Sequence, residues 1–308
     1  MQSKENILQK PWVVVCLASF ACFLWGSAFP MVKTGYAQFG IQSGDYASQI
    51  LFAGCRFTLS GFLTWIVGSI AQKKPLLPKK QSLGAILKLG FFQTFLQYVF
   101  FYIGLANTTG VKSSIIGGSS VFITLLMGWV LLKQQTMTKN KLFGCVLGFV
   151  GLVLINLQGE TTMDFQFSLV GEGFIFISTF FSSIAAVLLK KYGQNENPVV
   201  LAGFQLGVGG LALIVVGWLS GGHLQANTPL AYGTYAYLAF LSAAAFTIWG
   251  LLLKWNDLAT VSVYKFSTPL FGTLLSFLVL QETGHLFTPT ALLALALVCF
   301  GIFIVNKK

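Results

Sequence analysis

Long apolar runs alternate with short polar breaks along this chain, and the runs set the reading. A helix that crosses a bilayer needs about 20 mostly apolar residues. Segments of this kind lie at Pro11–Thr34, Ser48–Ala71, Leu83–Ala106, Val111–Leu132, Lys141–Leu157, Ser168–Leu189, Pro198–Leu219, Leu230–Leu253, Ala259–Leu280 and Pro289–Val305. The breaks are too short to hold a soluble domain; the longest punctuated ones are Gln72–Ser82, with Pro75 and Pro78, and Gly221–Pro229. The first run, from Trp12 to about Val32, is longer than the apolar region of a cleavable signal and is expected to remain as an anchor.

The pattern is written twice. Ala53-Gly54-x-Arg56, Gly61 and Val67-Gly68 return as Ala202-Gly203-x-Gln205, Gly210 and Val216-Gly217, each 149 positions later. Asn107 matches Asn256 at the same offset. Ser119–Gln134 matches Ser267–Glu282 at 148, and Gly151 and Asn156 match Gly301 and Asn306 at 150. A drift of one or two positions is a loop insertion or deletion. Two units, residues 1–157 and 158–308, then hold five helices each. Five is odd, so the second unit enters the membrane from the opposite side. The predicted fold is an all-α integral membrane protein, ten transmembrane helices as two inverted five-helix repeats. Halves related in this way have two equivalent ways to rock, one opening to each side, around a site near the midplane.

Composition supports the membrane and narrows the chemistry. Only 9% of the 308 residues are charged and 55% are hydrophobic, against about 25% charged in soluble domains. That is too little charge to cover a water-facing surface. The net charge of +11 does not point to nucleic acid, because the lysines sit in loops and report topology. One side holds Lys4, Lys10, Lys73, Lys74, Lys79, Lys80, Lys133, Lys139, Lys141, Lys190, Lys191, Lys254, Lys307 and Lys308; the other holds little beyond Lys33, Lys112, Asp45, Glu160 and Asp164. The lysine-rich side is expected in the cytoplasm, with both termini there and the plasma membrane as the site.

Cys16, Cys22, Cys55, Cys145 and Cys299 all fall in apolar runs without a C-x-x-C pair and read as small hydrophobes between helices. His223 and His285 lie in separate loops, so no metal cluster is expected. No cofactor or catalytic motif stands out: there is no H-E-x-x-H, no phosphate loop and no pair of intramembrane carboxylates. Glu172 and Glu282 lie near helix ends. An enzyme is therefore not expected.

The candidate residues are the polar and aromatic ones inside the runs. Arg56 is the sole arginine, and a guanidinium keeps its proton. It lies roughly 12 Å into its helix at 1.5 Å per residue, too deep to snorkel easily. Two roles fit: a gating or structural pairing with a carboxylate or carbonyl, and contact with a substrate anion. Lys265, beside Tyr264, sits inside the ninth run as a proton or substrate partner, unless it snorkels to the inner face. Pro30 and Pro269 each remove a helix hydrogen bond. Gln93, Gln97 and Tyr98 on the third run, Ser182 on the sixth, and Trp25 and Trp249 on the first and eighth are expected to face protein or a cavity. Many hydroxyls in these runs can instead bond their own helix. Gly144-x-x-x-Gly148 and Gly203-x-x-x-Gly207 allow close helix approach, within the bundle or in a homodimer.

Leu24-Trp25-Gly26-Ser27-Ala28-Phe29 and Cys55-Arg56-Phe57 carry a resemblance to the drug/metabolite transporter superfamily, specifically its EamA-type ten-helix members. The glycine–glutamate pair this family places at the ends of the fourth and ninth helices reads Lys133-Gln134 and Gln281-Glu282 here, so only Glu282 fits. The resemblance implies a central cavity lined mainly by helices 1, 3, 4, 6, 8 and 9. It also implies substrates among amino acids, other small metabolites, nucleotide sugars and drugs. The expected function is secondary transport of small organic metabolites by alternating access, with export of amino acids or related metabolites favoured. A carrier of nucleotide sugars, cofactors or drugs is the alternative; an intramembrane enzyme or scaffold is further off.

Overall fold

The computed structural model describes residues 7–42, 44–108, 113, 116–132, 138–156, 168–280 and 289–307. Lys112, Ser114, Lys133, Gln134, Glu160, Asp164, Gln281, Glu282, His285 and the junction between residues 157 and 158 lie outside them. Every regular element among the described residues is a helix. In chain order these are α1 (Pro11–Gln38), α2 (Tyr46–Ala71), α3 (83–106), α4 (Ser120–Leu132), α5 (Lys139–Asn156), α6 (Leu169–Tyr192), α7 (Pro198–Leu219), α8 (Pro229–Trp255), α9 (258–280) and α10 (Pro289–Asn306). Among the described residues, α1, α2, α3, α6, α7 and α8 are long and apolar enough to cross a membrane, and shorter apolar helices run over Ile116–Leu132 and Leu292–Asn306.

Local chemistry sets several helix ends. Pro11, Pro198 and Pro229 stand in the first turns of α1, α7 and α8, where a missing N–H costs nothing. Asp45 caps α2 by accepting from the Ser48 N–H at 3.0 Å, and Asn197 caps α7 by accepting from Val199 at 3.0 Å. Gly221 takes φ +87 just beyond α7, a left-handed stop that other residues resist. α1 runs past Thr34 to Gln38, because polar residues at the wet end of a helix do not end it. Thr34 Oγ1 bonds back to the Pro30 carbonyl at 3.0 Å.

Three helices depart from the α repeat where the apolar pattern is even, and α6 does so in its first turn, a π turn at Leu169–Gly173. α3 passes through a π-helical turn at Gly90–Leu96. α9 starts as Leu258–Ser262, tightens to a 3₁₀ turn over Val263–Phe266 and resumes at Ser267. Such changes in helical repeat shift which side chains face inward.

The helices meet along seams of small residues. α2 lies against α7, and α5 against α10. A Cβ built on Gly54 would fall 2.9 Å from the Gly210 carbonyl oxygen, and one on Gly61 would fall 2.6 Å from that of Gly203. The second seam repeats the device: Gly144 meets the Gly301 carbonyl at 2.7 Å and Gly151 that of Ala294 at 2.7 Å. Gly203 packs on Gly61 and Thr64, so both glycine-spaced motifs work within the chain. α1 packs on α8 and α9, while α6 packs on α3 and α4. Asn107 and Asn256 make the same bond, each Nδ2 donating to the carbonyl four residues earlier, at 2.7 Å to Ile103 and 3.0 Å to Leu252.

The outward helix faces carry exposed Phe62, Val67, Ile70, Trp129, Leu211 and Trp218, an apolar surface suited to lipid and too large for water. Trp12 and Trp255, at helix ends, are also exposed, as an interfacial belt requires. Cys22 and Cys145 are buried, but Cys16 and Cys299 are exposed. The expectation that all five cysteines pack between helices therefore fails for these two: an apolar run shows that a residue avoids water, not which side of the helix meets protein.

At one end of the bundle the connections are clamped together. Lys79 N–H donates to Glu196 Oε2 at 3.1 Å and Asn197 N–H to Glu196 Oε1 at 2.8 Å. Lys79 Nζ reaches the Asn195 carbonyl and Lys254 Nζ that of Glu196, at 3.0 and 3.2 Å. Burial opposes ionisation of Glu196. It has little accessible surface, yet it sits at the rim with few protein atoms around it. The bonds from Ser82, Asn197 and Lys79, with the Lys79 charge, therefore win and hold its pKa below the ordinary glutamate value. A carboxylate depressed in the folded state adds stability above its unfolded pKa and loses it as pH falls through the folded one. The melting temperature of the wild type is expected to exceed that of Glu196→Gln at neutral pH, and the gap to close on acidification through the carboxylate range. A gap independent of pH would refute the clamp.

Candidate functional site

Five of the residues singled out in the sequence converge on one aromatic wall at the centre of the bundle. Trp25 of α1 meets Phe246 and Trp249 of α8 edge-on, with ring centroids 5.6 and 5.0 Å apart. Phe246 meets Phe57 of α2 at 6.4 Å, and Phe57 meets Tyr98 of α3 at 4.4 Å. A cation stands at each end. The Arg56 guanidinium lies over the Phe57 ring, 4.3 Å from its centroid, and Lys265 Nζ stands 5.7 Å from that of Trp249. Both contacts are favourable to a cation, by about 0.5–2 kcal/mol each, far less than burying a charge costs.

Each cation is placed by local structure. Arg56 is 3% exposed, on the stretch of α2 where Ser60 and Thr64 bond back to the carbonyls of Arg56 and Ser60, at 2.7 and 2.8 Å. Those hydroxyls donate to their own helix. Neither a carboxylate nor a carbonyl of the described residues meets it, and Nε is buried without a partner. The hydroxyls of Tyr36, Tyr98 and Tyr235 lie within electrostatic reach of it instead. Lys265 occupies the 3₁₀ turn of α9, two residues before the helix resumes and four before Pro269. Against the same turn, Cys22 Sγ donates to the Tyr264 carbonyl at 3.2 Å, and Gly26 lets α1 approach Phe271 and Gly272.

Tyr36, Tyr98 and Lys265 are half-buried.

The other candidates fall around this wall. Gln93 is buried within the π turn with Oε1 unpartnered, while Gln97, past the turn, is half-buried. Neighbouring Thr94 donates to Gln205 Oε1 at 3.1 Å. Ser182 of α6 is half-buried, and no ring or hydrogen-bond contact among the described residues joins it or Gln97 to the wall. Tyr264 packs into the core, and Pro30 is buried within α1. Several hydroxyls inside the runs are spent on their own helix, as the sequence allowed: Thr179, Ser183 and Ser242 bond the carbonyls of Ile175, Thr179 and Leu238. Phe57, Phe246, Tyr36 and Tyr235 were not legible as site residues, since a chain with 30 phenylalanines gives no cue to which rings face inward.

Among the described residues, no three His, Cys, Asp or Glu side chains come together as a metal site. The buried carboxylate Glu172, at the start of α6, accepts from Thr108 Oγ1 at 2.6 Å and the Ser168 N–H at 2.7 Å.

Comparison with known proteins agrees with this architecture. Over 277 residues the chain is 26% identical to an uncharacterized transporter of Archaeoglobus fulgidus, covering 88% of this chain and 91% of that one. Over 298 residues it is 26% identical to the uncharacterized transporter YvbV of Bacillus subtilis, covering 95% and 91%. A crystal structure of a protein 16% identical superposes with a TM-score of 0.77 over 95% of this chain and 96% of its own, which shows a shared fold. The profile of the EamA-like transporter family matches residues 12–157 and again 169–307. With nearly the whole chain matched, this multi-pass membrane protein is a member of the EamA-like transporter family.

Proposed function

We propose that the chain moves small organic metabolites across the plasma membrane by alternating access, with export of amino acids or related carboxylate-bearing solutes the favoured case. Residues 1–157 and 158–308 are read as two five-helix units, inverted relative to each other, with ten spans and both termini in the cytoplasm. The observation that carries the reading is the reciprocity of the seams. Exchanging each residue for its counterpart 149 positions away turns the Gly54–Gly210 contact into Gly203–Gly61, which is the other contact of the same seam. At an offset of 150, Gly144–Gly301 likewise becomes Ala294–Gly151. Packing of α1 on α8 and α9 answers to packing of α6 on α3 and α4, and Asn107 answers to Asn256. A twofold axis between the halves requires these pairs, and two such halves rock about a central site.

Trp25, Trp249, Tyr98 and Lys265 would line that site, with Gln93, Gln97, Ser182 and Tyr264 at or behind its walls and Pro30 and Pro269 as points of flexure. Two interior cations without carboxylates beside them favour solutes that carry a negative group. Purified protein in vesicles is expected to exchange labelled amino acids or small carboxylates in counterflow. Vesicles that move none of these, but do move a cationic or sugar-nucleotide solute, would overturn the substrate class.

A further inference from the structure

Resting on the carrier reading, we propose that Arg56 is itself the recognition point for the solute's carboxylate. It carries a permanent positive charge that the described protein leaves unpaired. The guanidinium is 3% exposed, one ring covers it at 4.3 Å, and no side chain or carbonyl of the described residues accepts from it. A buried charge left without a partner is strongly unfavourable. The second half shows what a satisfied residue looks like at the matching position: Gln205 is buried at 1% exposure, and its Oε1 accepts from Thr94 at 3.1 Å. The neutral copy is closed within the protein, and the charged copy waits for a partner from outside.

The surroundings choose the anion. The single guanidinium balances a single negative charge and the other cation stands at the far end of the wall, so a phosphate dianion held at Arg56 would stay half uncompensated. A planar fork of N–H donors fits a carboxylate in two parallel bonds. Tyr36 and Tyr98, within reach of the charge, supply hydroxyls for its oxygens, and with Tyr235, whose own hydroxyl is donated to the Phe52 carbonyl at 3.2 Å, ring faces for an apolar body. The solute is therefore a monocarboxylate with an apolar or aromatic part.

Arg56 is the sole arginine, so an arginine-selective dicarbonyl such as phenylglyoxal reports on it alone by intact mass. Benzoate is expected to slow labelling of the detergent-purified full chain several-fold and to raise its melting temperature. Benzamide, the neutral isostere, is expected to do neither. Arg56→Gln is expected to abolish the benzoate shift while melting no lower than the wild type without ligand, because it removes an unpaired charge. Arg56→Lys keeps the charge and is expected to bind about tenfold more weakly, having lost the fork. Labelling unaffected by benzoate would overturn the proposal. So would protection by inorganic phosphate but not benzoate, or a large loss of stability in Arg56→Gln that Arg56→Lys repairs. Benzoate protection in a protein that fails every vesicle assay would leave the site standing and remove the carrier reading instead.

Discussion

Gly61→Val is expected to abolish the folded bundle or cripple it, while Gly207→Ala, four residues past Gly203 on the facing helix, is expected to be harmless. A Cβ on Gly61 would stand 2.6 Å from both the Gly203 carbonyl oxygen and the Gly207 nitrogen. These are backbone atoms inside a helix, so no rotamer change relieves the clash. The two helices must separate, and overpacking of this kind costs at least about 1–3 kcal/mol, before counting the Gly54–Gly210 contact further along. A Cβ on Gly207 itself has nothing within 4 Å. The control there keeps the seam and gains up to about 1 kcal/mol of helix propensity. Size-exclusion profiles and melting temperatures of the pair decide the matter. A Gly61→Val protein that elutes and melts like the wild type would mean that α2 and α7 do not meet as described.

Lys265→Met is expected to cut transport at least tenfold without lowering stability. Lys265 is half-buried, faces Trp249 at 5.7 Å and has no carboxylate partner among the described residues. A lysine that held the fold together would show bonds to loop carbonyls, as Lys190 does with Asn256 at 2.7 Å. A hydrogen bond to a charged group contributes about 1.5–3 kcal/mol, or roughly 10–150-fold in affinity. Initial rates in vesicles, beside melting temperatures, separate the roles. Transport within twofold of the wild type would remove Lys265 from the path, and a falling melting temperature would recast it as structural.

Much of this architecture was legible in the sequence, because bilayer physics leaves few options. Apolar runs of about 20 residues become helices, and, apart from the start of α4, whose expected first residue lies outside the described ones, the described helices start and stop within a few residues of the expected ones. Glycines spaced at a fixed offset in the sequence fall where backbones touch in the α2–α7 and α5–α10 seams. Arg56 stood out because charge is rare in such a chain. What could not be read was rotation. The π turn at Gly90–Leu96 sets Gln93 and Gln97 at different depths, and a count at 3.6 residues per turn misses it. Thr179, Ser183 and Ser242 could have faced a cavity or their own carbonyls, and only coordinates choose between the two. Phe57 and Phe246 became part of the site through tertiary packing alone.

The paired glycine contacts of α2 and α7 bear on how this chain tolerates change. A lesion at Gly54 strikes the same joint as one at Gly210, and Gly61 shares its fate with Gly203. Sensitivity across the seam then comes in twins far apart in sequence. A substitution that one segment cannot absorb has a distant counterpart where the same replacement should fail for the same reason.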